Sequence, residues 1–600
     1  MIINSLQEYY DRLRKDPQSG VAPLGFSNAK VAFAFNLSSN GELLEIFPLY
    51  EVKGKKKILR EMLVPEQIKK TSGVSSNFLC ENSSYVLGID NKGKKQRTKD
   101  CFTAFKELHS KILSGVEDHG AKAVIAFLNS REPGQCSEKV IQDNIEHLLE
   151  GSNIVFKLDG QDGYIHERPL VKIAWENYQE ADKADAYIAQ CLVTGEKVPI
   201  ALLHPSIKGV VGAQSSGASI VSFNDDAYVS YRKRQSYNAP VSKSITFAYT
   251  TALNYLLANP KNRLRIGDAT TVFWAEREQE ENLIAAFFDP PEEPNVQEGV
   301  QIDHAGVQKI RDILMQLREG RMPANVDIEE KTHFSILGLA PNAARISIRY
   351  YCQGEFGTLM KNIGLHYADM SIVLPKEYRP LFPPVWRILK ETAARGKTEN
   401  IPPILGGGLM RAILSGGAYP QSLYSAILSR IRADYMVNPI RAGVIKACLL
   451  RQARIYGQRE KEGMIRVNLN EENTSTSYLL GRLFALLEIA QRDSADNKIN
   501  ATIVDRYYGT ASVTPAAVFP VLIKLSKHHL RKIKSIKPAL GYALDKKIQE
   551  VINALDDEKG FPRYLNLDDQ GFFVLGYHQQ KQHWFTKQEE EGGDNNGQNN

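Results

Sequence analysis

The sequence predicts an α+β protein: a mixed α/β N-terminal part followed by an all-helical C-terminal bundle. Up to Gln353, short apolar runs bounded by Gly, Pro, Asn and Ser read as strands interspersed with helical segments. From Gly354 onward the apolar residues recur at three and four, so helix follows helix. With 600 residues, 43% hydrophobic and 24% charged, the chain has ordinary globular composition and material for several cores.

Taken in order, Leu6–Leu13 lies in an amphipathic helix, and Pro23 and Gly25 turn the chain into KVAFAFNLSSNGELLEIFPLYEV, a hairpin around Ser38-Ser39-Asn40-Gly41. KDCFTAFKELHSKIL (99–113) has helical spacing, 122–128 fits a strand or a buried helix, 141–150 is helical and 153–158 is strand. Between 187 and 224 the pattern is strand-rich and broken by glycines, with an alternating strand after Gly217. A helix is expected from Val241 to Ala258, a buried strand over 263–276 and another over 344–353. The Pro- and Glu-rich segment 288–304 reads as a linker. Helices follow at 355–368, 407–415, 420–434, 440–456, 476–492, 515–530 and 541–555. The expected divisions are 1–345, 346–463, 464–587, and a disordered acidic-polar tail over 588–600 with nothing to bury.

Charge singles out one region. From Lys53 to Lys99 twelve Lys/Arg face four acids, a net of +8 in a chain whose total is +6. The cations, with Lys69, Lys70, Lys92, Lys94, Lys95 and Arg97 among them, bracket the loop TSGVSSN (71–77). Gly73 lets a backbone approach a partner there, and Ser76, Asn77 and Asn82 supply short hydrogen-bonding groups. Basic clusters around such a loop point to nucleic acid. A second loop, GVVGAQSSGASIVSFN (209–224), sets Gln214, Ser215 and Ser216 between Gly212 and Gly217. Downstream, Tyr231, Arg232, Lys233, Arg234 and Tyr237 interleave rings and cations, a pattern that suits a nucleic-acid strand. Lys524, Lys527, Arg531 and Lys532 lie in VLIKLSKHHLRKIKSIKPAL, with no acid between Asp505 and Asp545; Leu522, Leu525 and Leu530 can face a core while these cations form a track.

Other chemistry is missing. There is no GxxxxGK[ST] phosphate loop, and Gly406-Gly407-Gly408 precedes LMRAIL without the lysine. No HExxH exists, and Cys80, Cys101, Cys136, Cys191, Cys352 and Cys448 form no CxxC pair. No cofactor or metal is expected. The acidic pair Asp327 and Glu329 with Lys331 can be fitted to a metal-dependent nuclease pattern, and a general RNA-binding scaffold is a further reading. The charged N-terminus lacks the apolar core of a signal peptide and no apolar run reaches membrane-spanning length, so a soluble cytoplasmic protein is expected.

Most of the chain resembles the large subunit of the type I-C CRISPR Cascade, an RNA-guided surveillance complex. The resemblance rests on TSGVSSNFLCENSSYVLG (71–88), GAQSSGASIVSFN (212–224), NAPVSKSITFAYTTALNYLL (238–257), IGDATTVFWAE (266–276) and GEFGTLMKNIGLHYADM (354–370). It continues through GGGLMRAILSGGAYPQSLYSAILSRIRAD (406–434), NTSTSYLLGRLFALLEIAQRD (473–493) and LDDQGFFVLGYHQQ (567–580). Glu81 stands where the family pattern has aspartate before Asn82. The resemblance implies a non-enzymatic subunit that reads the protospacer-adjacent motif in duplex DNA, opens the duplex for R-loop formation and recruits a separate helicase-nuclease. Its implied partners are guide RNA, target DNA, Cascade backbone subunits and the guide-RNA 5′-handle subunit. Related large subunits use a lysine, a glycine loop and a glutamine wedge in the minor groove. By that analogy Lys69, Lys70, Gly73, Asn77 and Asn82 are candidate readers, and Gln214 with Gly212, Ser215, Ser216 and Gly217 a candidate wedge. The same resemblance implies a small helical subunit made from within the gene. Met464 suits its start, since Arg459-Glu460-Lys461-Glu462-Gly463 has codons able to spell a ribosome-binding sequence.

Overall fold

The computed structural model describes residues 1–53, 56–67, 73–181, 187–223, 225–291, 304–323, 326–376, 378–495, 499–555 and 560–594. The chain divides into two compact units. The first is Met1–Gly209 with Gln214–Tyr255, the second Val210–Ala213 with Leu256–Asn600.

The first unit is organised on strand β1 (Phe26–Leu37), buried on both faces from Val31 to Leu37, the polar Asn36 included. Such a run belongs at the middle of a sheet. There it pairs antiparallel with β2 (Leu43–Pro48) and with β4 (Lys56–Pro65), which carries the short edge strand β3 (Tyr50–Lys53). The turn from β1 to β2 is the expected one, closed by the Gly41 N–H on the Ser38 carbonyl at 3.0 Å. Beyond it come β5 (Glu81–Asn82) and β6 (Asn153–Leu158); β6 runs parallel to β1 and antiparallel to β5. A parallel pair needs a long crossover. Here the connection includes the helices Lys95–Leu113 and His119–Asn129, which cover the sheet through Phe105, Phe127, Phe35 and Phe156; the rings of Phe127 and Phe156 meet edge to face at 5.9 Å. The stretch 122–128, open between strand and helix in the sequence, is therefore helix.

In the second unit β9 (Arg263–Ile266), β10 (Ala269–Ala275), β11 (His333–Asn342) and β12 (Arg345–Glu355) form an antiparallel sheet in the order β12-β11-β10-β9. Residues 263–276 are thus a hairpin rather than one strand, because Gly267-Asp268 forms a two-residue turn with Gly267 at φ +61. The helix Pro403–Ser415 lies on this sheet. Its Gly406 and Gly407 leave no side chain between helix and sheet: a Cβ on Gly406 would stand 3.2 Å from the Ile266 carbonyl oxygen. Further on, the helices Thr476–Ser494 and Leu567–Asp594 cross at Gly481 and Gly576, where an added Cβ would lie 2.1 Å from the carbonyl oxygens of Phe573 and Tyr478.

One apolar cluster joins this sheet to those helices, from Ile266 and Phe334 through Leu409 and Ile445 to Phe573. The division consequently falls between Tyr255 and Leu256, and not at 345: the second sheet shares its core with the helices after it. The region 187–224 is also corrected. Among its described residues it holds β7 (Ile188–Gln190), β8 (Lys197–Pro199) and isolated bridges from Ile200 to Ser242 and from Ile207 to Ala218, since Pro199, Pro205, Gly209, Gly212 and Gly217 interrupt every longer run. The expected strand after Gly217 does not form among the described residues. Of the expected linker 288–304, residues 292–303 lie outside the described residues, while Phe288 ends the helix Glu278–Phe288 and His304 begins the helix His304–Arg318. The last helix reaches Asp594, so 588–594 is not structureless; 595–600 lie outside the described residues. Among the described residues no helix is long and apolar enough to cross a membrane.

Candidate nucleic-acid interface

The Gly-Ser-Asn loop of the first unit has an outer and an inner half. Lys69 and Lys70 lie outside the described residues. Gly73 and Val74 form the exposed part, with Gly73 at φ +80 and open space around it. From Ser76 the chain turns inward: Ser76 is 7% exposed and its hydroxyl donates to the Asn77 carbonyl at 3.1 Å. Glu81, only 2% exposed, draws the two asparagines in. Asn77 donates its backbone N–H and Nδ2 to Glu81 Oε2 at 3.3 and 3.0 Å, and Nδ2 also reaches Gln67 Oε1. Asn82 donates its backbone N–H and Nδ2 to Glu81 Oε1 at 3.0 and 3.1 Å, while its Oδ1 caps the helix Ser83–Val86 by accepting the Ser84 N–H. A buried carboxylate requires such donors. The amides of Asn77 and Asn82, the candidate groove readers, are thus both engaged on Glu81, with Asn77 buried and Asn82 half-buried.

Beneath the loop, Leu79 takes a left-handed backbone (φ 52) and donates its N–H to His109 Nε2 at 2.9 Å. The other ring nitrogen sits 2.7 Å from the Phe105 carbonyl. Nδ1 therefore carries the proton and the imidazole is neutral, and burial lowers its pKa to about 4. The inner half of the loop is thereby fixed to the helix Lys95–Leu113.

That helix begins among cations. Lys92, Lys94, Lys95 and Arg97 are all exposed, the first turn has no acid, and Lys94 at the N-cap provides no side-chain cap. Cations are normally unfavourable here, because unpaired N–H groups already make a helix N-terminus positive. Arg97 Nη2 donates to the Gly73 carbonyl at 3.4 Å, so the cationic helix start and the exposed glycine tip are adjacent.

The second loop divides differently. Val210–Ala213 belongs to the second unit, where the Val211 N–H donates to Thr270 Oγ1 at 3.0 Å and Gly212 takes φ +81 beside Pro341. Gln214, Ser215 and Ser216, in the first unit, are exposed on a turn closed by the Gly217 N–H on the Gln214 carbonyl at 2.9 Å. Also in the first unit, Arg232, Lys233 and Arg234 are exposed, beside Tyr231.

In the second unit the helix Pro515–Ile536 buries Val518, Phe519, Leu522, Ser526, Leu530 and Ile533 and exposes Lys524, Lys527, Arg531 and Lys532. Leu525 is 42% exposed, contrary to its expected core position, because the buried stripe advances through 522, 526, 530 and 533 and leaves 525 at its flank. His529 is only partly buried and meets the Ser494 hydroxyl at 2.8 Å.

Asp327 and Glu329 share Arg277 as a partner: it donates to Asp327 Oδ2 at 2.9 Å and to Glu329 Oε2 at 3.3 Å. Lys331 is exposed. The two carboxylates thus already have a counter-ion.

Sequence reasoning found the exposed cations but missed Glu81 and His109, which decide which way the first loop faces. The signal available was a carboxylate inside an otherwise polar-neutral apolar stretch, NFLCENSSYV. No curated protein matches the chain. A family model described as CRISPR-associated protein (Cas_Csd1) matches residues 6–585, nearly the whole length, and the chain belongs to that family, the large subunit of type I-C Cascade.

Proposed function

We propose that this subunit reads the protospacer-adjacent motif in target duplex DNA, helps open the duplex for pairing with guide RNA, and presents the result to a separate helicase-nuclease without cutting DNA itself. The observation that carries the reading is the placement of Lys92, Lys94, Lys95 and Arg97 at a helix N-terminus beside the exposed Gly73. Those charges weaken the helix on which they stand. They become favourable when a phosphate lies against them, since both the cations and the helix end attract it. Gly73 leaves room for a sugar-phosphate edge, and Lys69 and Lys70 extend the same basic segment. Interactions of this kind position a duplex, while guide-RNA pairing supplies most of the sequence specificity. Gln214, Ser215 and Ser216, exposed on a short turn, suit entry into a groove, and Lys524, Lys527, Arg531 and Lys532 suit a track for guide RNA or displaced strand. The backbone and 5′-handle subunits hold the chain on the guide RNA. A shorter product starting at Met464 would contain the helices from Thr476–Ser494 to Leu567–Asp594 whole.

The test replaces Lys92, Lys94, Lys95 and Arg97 together by alanine in the assembled complex and measures duplex binding against salt. Affinity should fall alike for all sequences, and the log–log salt slope should drop by roughly 0.9 for each phosphate that the variant no longer neutralises. Unchanged affinity and slope would show that these cations only face solvent.

A further inference from the structure

Tyr231 is 95% exposed, the most exposed large side chain among the apolar and aromatic residues described. Its surroundings do not let it retreat. Tyr231 and Arg232 are consecutive left-handed residues, at φ 52 and 56, and Gln235 follows at φ 45. Side chains with a Cβ rarely adopt this conformation, and such strain persists only where surrounding structure enforces it. Asn238 supplies the enforcement: its Oδ1 accepts the Ser230 N–H, and its Nδ2 donates to the Lys233 and Gln235 carbonyls, all at 2.9 Å. The Lys233 N–H closes the turn on the Ser230 carbonyl at 3.0 Å. A ring is thus held out into water by a braced loop, with Arg232, Lys233 and Arg234 exposed immediately after it.

Resting on the reading of this chain as a nucleic-acid-binding subunit, we propose that Tyr231 is a stacking platform for one unpaired base of a single strand, whose phosphates Arg232, Lys233 and Arg234 hold. A duplex keeps its base faces covered by their neighbours, so a protruding ring finds a stacking partner on an unpaired base. Cations succeeding the ring match the alternation of base and phosphate along a strand. Tyr228 and Val229 nearby are also partly exposed, but the residues that directly follow the ring are cations, whereas a binding anchor for a protein sits within a close-packed apolar surround.

The experiment uses the full chain and fluorescein-labelled oligothymidylate, with a duplex of equal length alongside, read by anisotropy. Tyr231→Ala should weaken single-strand binding about 5- to 150-fold, the range for one stacked base, and leave duplex binding unchanged. Tyr231→Phe should bind as the parent does, because the ring stacks without its hydroxyl. Unchanged single-strand affinity in Tyr231→Ala, as a protein partner for this loop would give, overturns the proposal; so does an equal loss on both substrates, or a loss with Tyr231→Phe. If the proposal fails in that way while the Lys92, Lys94, Lys95 and Arg97 variant still loses duplex binding, the duplex interface stands without it.

Discussion

Two loops of similar composition, 73–82 and 212–217, present their polar side chains in opposite directions. In the first, Asn77 and Asn82 point to a carboxylate that is 2% exposed; in the second, Gln214, Ser215 and Ser216 stand in solvent. Composition does not separate them. Glu81 does: β5 pairs with β6, and this pairing takes Glu81 out of water, so nearby amides must replace its solvent shell. The second loop has no buried charge to satisfy, and its backbone alone closes the turn. Glycine, serine and amide side chains therefore mark a place where a ligand can be met only when no interior group claims them first. In the first loop what remains outside is Gly73, Val74 and the neighbouring cations.

The most forceful way to break this comparison is to remove the claimant. Glu81→Leu deletes the acceptor for four N–H groups, two of them on the nearly buried Asn77. Leaving buried donors unsatisfied costs about 1–3 kcal/mol each, less where water can enter, so a destabilisation of about 3–4 kcal/mol is expected. Hydrogen exchange of residues 76–88 should rise steeply in the variant. Protection equal to the parent's would mean that Glu81 does not order the loop.

How far the sequence could be read follows the same logic of who packs against whom. The hairpin of β1 and β2 was legible because Asn40-Gly41 and the alternating runs are local signals. The helices beyond Gly354 were legible from their periodicity. Gly267-Asp268 was equally local, yet the apolar residues on both sides hid it in one apparent strand. The division at Tyr255 was hidden for another reason: Ile336 and Phe334 find their core partners in helices far along the chain. At the interface, exposure of Lys92, Lys94, Lys95 and Arg97 followed from charge density, whereas the inward turn of Asn77 depends on Glu81 meeting a strand that begins at Asn153. Strain at Tyr231 has no signature in composition, since its brace, Asn238, looks like any loop asparagine.

A second way to sharpen the comparison uses pH, because the inward loop also leans on a neutral histidine. His109 accepts the Leu79 N–H, and a proton on Nε2 would abolish that bond. Its pKa is lowered from 6.5 to about 4, so between those values the unfolded chain binds the proton that the folded one refuses. The contribution is whole above pH 6.5, declines as pH falls, and levels off below about pH 4. At about 1.4 kcal/mol per pH unit the loss is about 3 kcal/mol. Exchange protection of the Leu79 amide, corrected for intrinsic rate, should therefore fall between pH 7 and 4.5. Constant protection over that range would show that His109 titrates without opening the loop.

The smallest expected effect lies in the outward loop, and it is informative because it is small. Gly217 sets the scale: at φ +95, with an added Cβ only 2.7 Å from that of Ser206, Gly217→Ala should cost about 1–3 kcal/mol. Gln214, Ser215 and Ser216 are exposed, and the turn that carries them is closed by backbone groups of Gln214 and Gly217. Replacing all three by alanine removes no bond that the turn needs, so stability should change by no more than about 0.5 kcal/mol. The same variant should lose affinity for duplex bearing the adjacent motif, since its exposed polar groups are what a groove would meet. Thermal unfolding and gel-shift titration of the one variant therefore test both halves. A large fall in melting temperature would mean that these side chains serve the fold as Asn77 and Asn82 do, and the contrast between the loops would vanish. Unchanged melting with unchanged duplex affinity would leave the contrast intact and remove Gln214 from the interface.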